Sequence, residues 1–138
     1  MQKFVQFLLD GKIFGMDIRN VQEILQADEL RTFKVPNSPD YLQGVLNLRG
    51  VLTPVVDLRI KMGLAPAGIS DRSRVIICKT GRQDSMGVLV DQFAGIVAPD
   101  DPDVAKGSGG VAAAAPMEII DLSQVFSGPA MAWRAPAL

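Results

Sequence analysis

The sequence predicts a mostly β protein, and three observations carry that expectation. Two apolar runs, Phe4–Leu9 and Lys12–Met16, flank Asp10-Gly11, a pair that readily takes the positive φ angles of a tight hairpin turn. Further short apolar runs at Val21–Leu25, Val51–Val56, Val75–Lys79, Met86–Val90 and Phe93–Ala98 are separated by Gly, Pro, Asp and Asn, the usual punctuation between strands. The pattern Val55-Val56-Asp57-Leu58, an apolar pair followed by an Asp cap, Leu and a turn of helix, returns at Ile119-Ile120-Asp121-Leu122 and hints at two similar lobes.

Taken in order, Phe4–Leu9 and Lys12–Met16 form the first hairpin. Asp17 is placed to cap a helical turn through Ile18-Arg19-Asn20, because a short carboxylate accepts the backbone N–H groups that a first turn leaves unpaired. Alternation in Val21-Gln22-Glu23-Ile24-Leu25 predicts a half-buried strand with Val21, Glu23 and Leu25 on one face, Gln22 and Ile24 on the other. Asp28 to Pro39, polar and broken by Pro36, reads as a connecting loop. Asp40 to Leu46 reads as a short helix or turn that delivers Asn47-Leu48-Arg49-Gly50 to the strand Val51–Val56. Pro54 within that strand argues for an edge or a bulge, since its nitrogen cannot donate to a ladder. Asp57 caps a helical turn to Met62, ended by Gly63 and Pro66. Three more strands follow, up to Ala98. Pro99 to Pro116 reads as a linker-like loop with at most a brief strand near Val111 to Ala114, and Ser127 to Leu138, with Trp133, as a frayed tail.

Composition narrows the function. The chain has 138 residues, enough for one domain, and carries 14 Lys and Arg against 15 Asp and Glu, for a formal charge of −1. Nucleic acid and anionic lipid are met by a Lys/Arg excess, so neither is expected as a partner. With no His, imidazole-based triads, zinc-protease helices and phospho-His relays are excluded within this chain. The lone Cys78 sits in Val75-Ile76-Ile77-Cys78, which reads as a reduced, buried thiol. Neither a signal-peptide core nor a run of ~18 apolar residues is present, so a soluble, cytoplasmic protein without direct membrane insertion is expected.

Asp17, Asp57, Asp91 and Asp121 are the candidates for paired-carboxylate chemistry, yet each follows an apolar strand and precedes a potential helical turn, where capping accounts for it. No calcium-loop spacing occurs, and Gly107-Ser108-Gly109-Gly110 lacks the Lys-Ser/Thr of a phosphate loop. No catalytic residue, metal site or cofactor is therefore expected. Asn47-Leu48-Arg49-Gly50 is different, because tight backbone geometry can hold Arg49 in the open with its planar five-donor head free for a carboxylate or for carbonyls.

Val21-Gln22-Glu23-Ile24, the run from Pro39-Asp40-Tyr41-Leu42-Gln43-Gly44 through Asn47-Leu48-Arg49-Gly50 to Val55-Val56-Asp57-Leu58-Arg59, and Gly87-Val88-Leu89-Val90-Asp91 together resemble the CheW family of chemotaxis coupling proteins. The likeness runs from Phe4 to Val97 and more weakly to Phe126. It implies two small five-stranded β-barrel lobes side by side, the second shortened at Pro99 to Pro116, with residues 1–126 forming one CheW-like domain and 127–138 a tail. It also implies a non-enzymatic adaptor, free of cofactors, that links the cytoplasmic tips of methyl-accepting chemoreceptors to the regulatory domain of the histidine kinase CheA. Such a protein would sit at receptor arrays on the inner face of the membrane. The residues that the resemblance assigns to partner binding are Arg49, Val21, Glu23, Gly44, Asn47 and Gly50. In that family the groove between barrels takes the receptor helix and the end of one barrel packs on the kinase. Two other readings stand beside it: a CheW-like module of a pilus-motility or polar-scaffold pathway, and a small ligand-binding barrel or enzyme in which Asp57, Asp91 or Asp121 converges with Arg49.

Overall fold

The computed structural model describes residues 2–79, 85–98 and 117–121. Expectations for the Pro99–Pro116 linker, the Val111–Ala114 strand, Trp133 and the 127–138 tail lie outside the described residues. The expected β class holds. The strands are β1 (Phe4–Leu9), β2 (Lys12–Asp17), β3 (Val21–Gln26), β4 (Thr32–Phe33), β5 (Leu42–Leu48), β6 (Val51–Asp57), β7 (Arg74–Lys79), β8 (Ser85–Val90), β9 (Gln92–Val97) and β10 (Glu118–Ile119), with a single-turn helix α1 (Leu58–Lys61) after β6.

They form two sheets, four strands in the order β10-β2-β1-β9 and six in the order β3-β7-β8-β6-β5-β4. Among the described residues neither ladder closes on itself, so the two five-stranded barrels become two open, packed sheets. The lobes also interleave along the chain. The four-stranded sheet joins both ends of the described sequence, β10 lying parallel to β2 through Glu118↔Phe14 and Ile119↔Gly15, while the six-stranded sheet takes the middle.

Burial explains why these segments read as they did. Val5, Phe7, Leu9, Phe14, Met16, Leu58, Ile76, Cys78, Val88 and Val90 fill the space between the sheets. Ala27, Leu46, Val55, Val75, Ile77 and Leu89 form a second cluster on the other face of the six-stranded sheet. Alternate residues of β7 and β8 therefore serve two cores, and strands covered on both faces read as continuous apolar runs rather than alternating ones. Cys78 is fully buried, and desolvation pushes its thiol up to about 12, which leaves it unreactive.

Two segments differ from expectation. Asp40–Leu46, expected as helix or turn, contributes β5, because Gly44 and the apolar Leu42, Val45 and Leu46 find partners in β6 and β4 that local propensity cannot reveal. The Asp28–Pro39 loop contains the short strand β4, whose Thr32 and Phe33 pair with Leu46 and Val45. Pro54 lies in an interior strand rather than at an edge, but beside a bulge, the other alternative: the β5–β6 register shifts between Leu42 and Gly44, opposite Val56 and Val55. Pro54 pairs with Val45 one position beyond Leu46↔Thr53 and three beyond Leu48↔Val51, and β6 meets β8 only from Val55 to Asp57. Alternation from the closed turn at Leu48↔Val51 aims its missing N–H away from β5, to the side where the β8 ladder has not begun.

Candidate partner-binding site

Leu48 and Val51 close a two-residue turn. Arg49 sits at φ 52° and Gly50 at φ 86°, the left-handed pair of a type I′ hairpin, as do Asp10 (52°) and Gly11 (78°) in the first hairpin. The Asn47 Oδ1 accepts the Gly50 N–H at 2.9 Å and fastens the turn. Gly50 needs its positive φ, and a β-carbon there would meet nothing within 4 Å. Arginine is an unusual first residue for such a turn, where Asn, Asp and Gly avoid the steric cost of a β-carbon. A side chain kept at a backbone penalty points to a role beyond the turn.

That side chain reaches across the sheet. Arg49 Nη1 and Nη2 donate to Glu23 Oε1 and Oε2, both at 2.7 Å, in a two-pronged ion pair. In a flat sheet β3 and the β5–β6 turn would stand three to four strand spacings apart, roughly 14–19 Å at ~4.8 Å each. The sheet must therefore curl until its ends face each other, and Arg49–Glu23 clasps the mouth of that curl where no backbone ladder does. The Glu23 side chain is 23% exposed and that of Arg49 67%. The guanidinium hydrogen bonds hold the Glu23 carboxyl below its ordinary range against a smaller upward pull from burial, and the carboxylate raises Arg49 in turn.

The face assignments in β3 need one correction. Val21 pairs with Cys78 and Glu23 with Ile77, so Gln22 is an extra residue in a bulge. The bulge turns Val21 to the side of Ile24, and both pack against the core between the sheets, whereas Leu25 packs against the second cluster. Glu23 and Leu25 share a face as expected; Val21 does not join them.

Of the six sequence-assigned residues, Glu23, Asn47, Arg49 and Gly50 meet at one place. Val21 lies close in sequence but faces inward. Gly44 stands further along β5, where a β-carbon would come within 3.0 Å of the Phe33 carbonyl oxygen and the Thr32 Cβ, so its smallness lets β4 lie against β5. Val51, 56% exposed beside the turn, was not singled out from sequence. The signal was available: an apolar residue directly after a two-residue turn, at the mouth of the curl rather than inside it.

Three of the four carboxylate candidates take other roles. Asp17 accepts the Arg19 N–H at 2.9 Å and Asp57 the Arg59 N–H at 3.0 Å, both as caps. Asp91 caps no helix; it holds Arg59 through two bonds of 2.8 Å. Asp57 and Asp91 thus meet at Arg59, while Arg49 is engaged elsewhere by Glu23, an arrangement that does not favour the small-enzyme reading. Among the described residues no group of three or more Cys, Asp or Glu side chains is arranged to hold a metal ion.

Across nearly its whole length, residues 3–127, the sequence matches the model of the CheW-like domain family. The chain belongs to that family. Relatives of this CheW-like chain include the chemotaxis protein CheW of Klebsiella aerogenes, 38% identical over 97 residues that make up 70% of this chain and 56% of that protein. The chemotaxis protein CheW of Bacillus subtilis is 31% identical over 110 residues, 80% of this chain and 69% of that one. Among solved structures, the scaffolding protein TtCheW from Thermoanaerobacter tengcongensis has a TM-score of 0.64 at 33% identity, covering 70% of this chain and 64% of the other. This CheW-like chain thus spans little more than half the length of the Klebsiella relative. No helix among its described residues is long and apolar enough to cross a membrane.

Proposed function

We propose that the chain is a non-enzymatic chemotaxis adaptor that couples chemoreceptor tips to the regulatory domain of the kinase CheA at cytoplasmic receptor arrays. On this reading residues 1–126 act as one domain and 127–138 as a tail, and Glu23, Asn47, Arg49 and Gly50 form the partner-binding site, with Val21 and Gly44 supporting it from the strands. The observation that carries the reading is the two-pronged Arg49–Glu23 pair on a rigid, exposed turn. A pre-ordered guanidinium loses little freedom on binding, and two of its five N–H donors are used, leaving others for a partner's carboxylate or carbonyls. Membership of a family whose relatives are chemotaxis and scaffolding proteins supports the same conclusion.

A pull-down of the full chain against two immobilised baits, the kinase regulatory domain and a chemoreceptor cytoplasmic tip, tests it. Retention by both, reduced by Arg49→Ala at unchanged folding, is the expected result. Retention by neither bait would overturn the adaptor reading.

A further inference from the structure

The described chain passes between the two sheets at two places. Asp17–Asn20 carries β2 into β3, and Asp91 alone carries β8 into β9. At the first, Asp17 pairs with Arg19, two residues on, and accepts from Gln2 Nε2 at 3.1 Å, while the Ile18 N–H donates to the Lys3 carbonyl at 3.1 Å; these bonds reach back to the start of β1, and none of them reaches the six-stranded sheet. At the second, every side-chain contact of Asp91 is long-range. Arg59 Nε donates to Asp91 Oδ1 and Nη2 to Asp91 Oδ2, each at 2.8 Å, and Nη2 also lies 3.5 Å from Asp10 Oδ1 in the β1–β2 turn. Asp91 Oδ2 accepts the Asp10 N–H at 2.9 Å, and Arg59 Nη1 donates to the Ala65 carbonyl at 2.9 Å. One guanidinium, 16% exposed in its side chain, therefore joins the helical turn after β6, the turn of the opposite sheet and the single residue where a strand changes sheets.

We propose that Arg59 is a positioning residue: through Asp91 and Asp10 it sets the angle between the two sheets, and with it the placement of the Glu23–Arg49 site relative to the four-stranded sheet. The apolar core between the sheets holds them together, but apolar burial is not directional. The forked hydrogen bonds at this corner are directional, and they act at the pivot, since β8 and β9 are joined by one residue. Lysine would keep the charge but could not span Asp91, Asp10 and the Ala65 carbonyl in one plane. The inference rests on the adaptor reading only for its functional meaning; the geometry itself can be measured without a partner.

Spin labels at Ile96→Cys on β9 and Phe33→Cys on β4 report the angle in the full chain. Both positions are more than half exposed, at 53% and 56%, while Cys78 is fully buried and stays unlabelled. Ile96 stands roughly 16 Å from Asp91 at ~3.3 Å per residue, so a rotation of about 10° at the corner moves the label by about 3 Å. A narrow distance distribution in the parent, broadened or shifted by about 3 Å in both Arg59→Lys and Asp91→Asn, is the expected result. Asp10→Asn, which touches only the longest contact, serves as the variant if the others fail to fold, and broadening there carries the same meaning. Parent-like distributions in folded variants overturn the proposal and leave Arg59 a local stabiliser. Failure of the adaptor reading shows separately, as a parent protein that binds neither bait.

Discussion

Replacing Arg49 by glycine separates what the side chain does from what its backbone costs. At φ 52° a residue with a β-carbon is strained by about 1–2 kcal/mol relative to glycine, against which the greater freedom of glycine in the unfolded chain counts about 0.5–1 kcal/mol. The ion pair lost with the side chain is two-thirds exposed at the guanidinium, in water and salt that screen it, so it adds little to stability. The net expectation is a melting temperature unchanged or raised by up to about 5 °C, taking ~1 kcal/mol as about 3–4 °C in a chain of 138 residues. Binding should move the other way. An interface-centred Arg removed outright weakens affinity by about thirtyfold. Calorimetric melts and titration against the kinase and receptor baits, run on one preparation, compare the two. A fall in melting temperature of 5 °C or more, with affinity falling in proportion, would show that the clasp across the curled sheet is structural and that the site assignment is wrong.

Charge reversal at Glu23→Lys faces Arg49 with a like charge, and binding should drop with little change in melting temperature; pairing it with Arg49→Glu should restore part of the affinity if the pair acts as a unit, and no restoration would mean that each contacts the partner alone. Gly87→Ala places a β-carbon 2.8 Å from Val75 Cγ1 and 3.2 Å from Val55 Cγ2, both buried core residues, so overpacking should cost about 1–3 kcal/mol in chemical denaturation while the folded fraction still binds. Acid should act in two stages. Asp17 is held low by its hydrogen bonds from Arg19, Glu23 by those from Arg49, and Asp91 by Arg59 and the Asp10 N–H, which outweigh the upward pull of burial. Their stabilising contribution is complete above the unfolded carboxylate range near ~4 and is lost as pH falls through their lower folded values. Burial raises Asp57, so its cost at neutral pH is relieved as pH drops through its folded value above that range. Melting temperature should stay level or rise slightly from pH 7 to about 5 and fall below about 4, and Asp57→Asn, which keeps a capping oxygen, should abolish any rise.

What was legible in the sequence was local. Asp10-Gly11 announced its hairpin because the turn needs two positive φ angles and the dipeptide supplies them cheaply. The caps at Asp17 and Asp57 were readable for the same reason, since a carboxylate two residues before an N–H is a short-range geometry. Asp40–Leu46 misled because the decision between turn and strand is made by β6 and β4, residues that a window of seven does not contain. The bulge at Gln22 was invisible for a related reason: one extra residue opposite β7 inverts the alternation N-terminal to it, and only the register with Cys78 and Ile77 shows it.

The site was half legible in the same sense. The chemistry of the Asn47-Leu48-Arg49-Gly50 turn singled out Arg49 and the family resemblance added Glu23, twenty-six positions apart, but neither showed their mutual bond. That bond follows from curvature, and curvature follows from packing Leu25, Leu46 and Leu48 against one cluster from strands at opposite sides of the sheet order. Once the apolar side chains draw the two margins together, the nearest charged groups on the closing rims are Glu23, placed by the bulge, and Arg49, placed by the turn. The hydrophobic core thereby sets the electrostatics of the surface. A test of partner binding that leaves this core intact isolates the ion pair; a truncation at Leu46 or Leu48 would disturb both at once and could not tell one from the other.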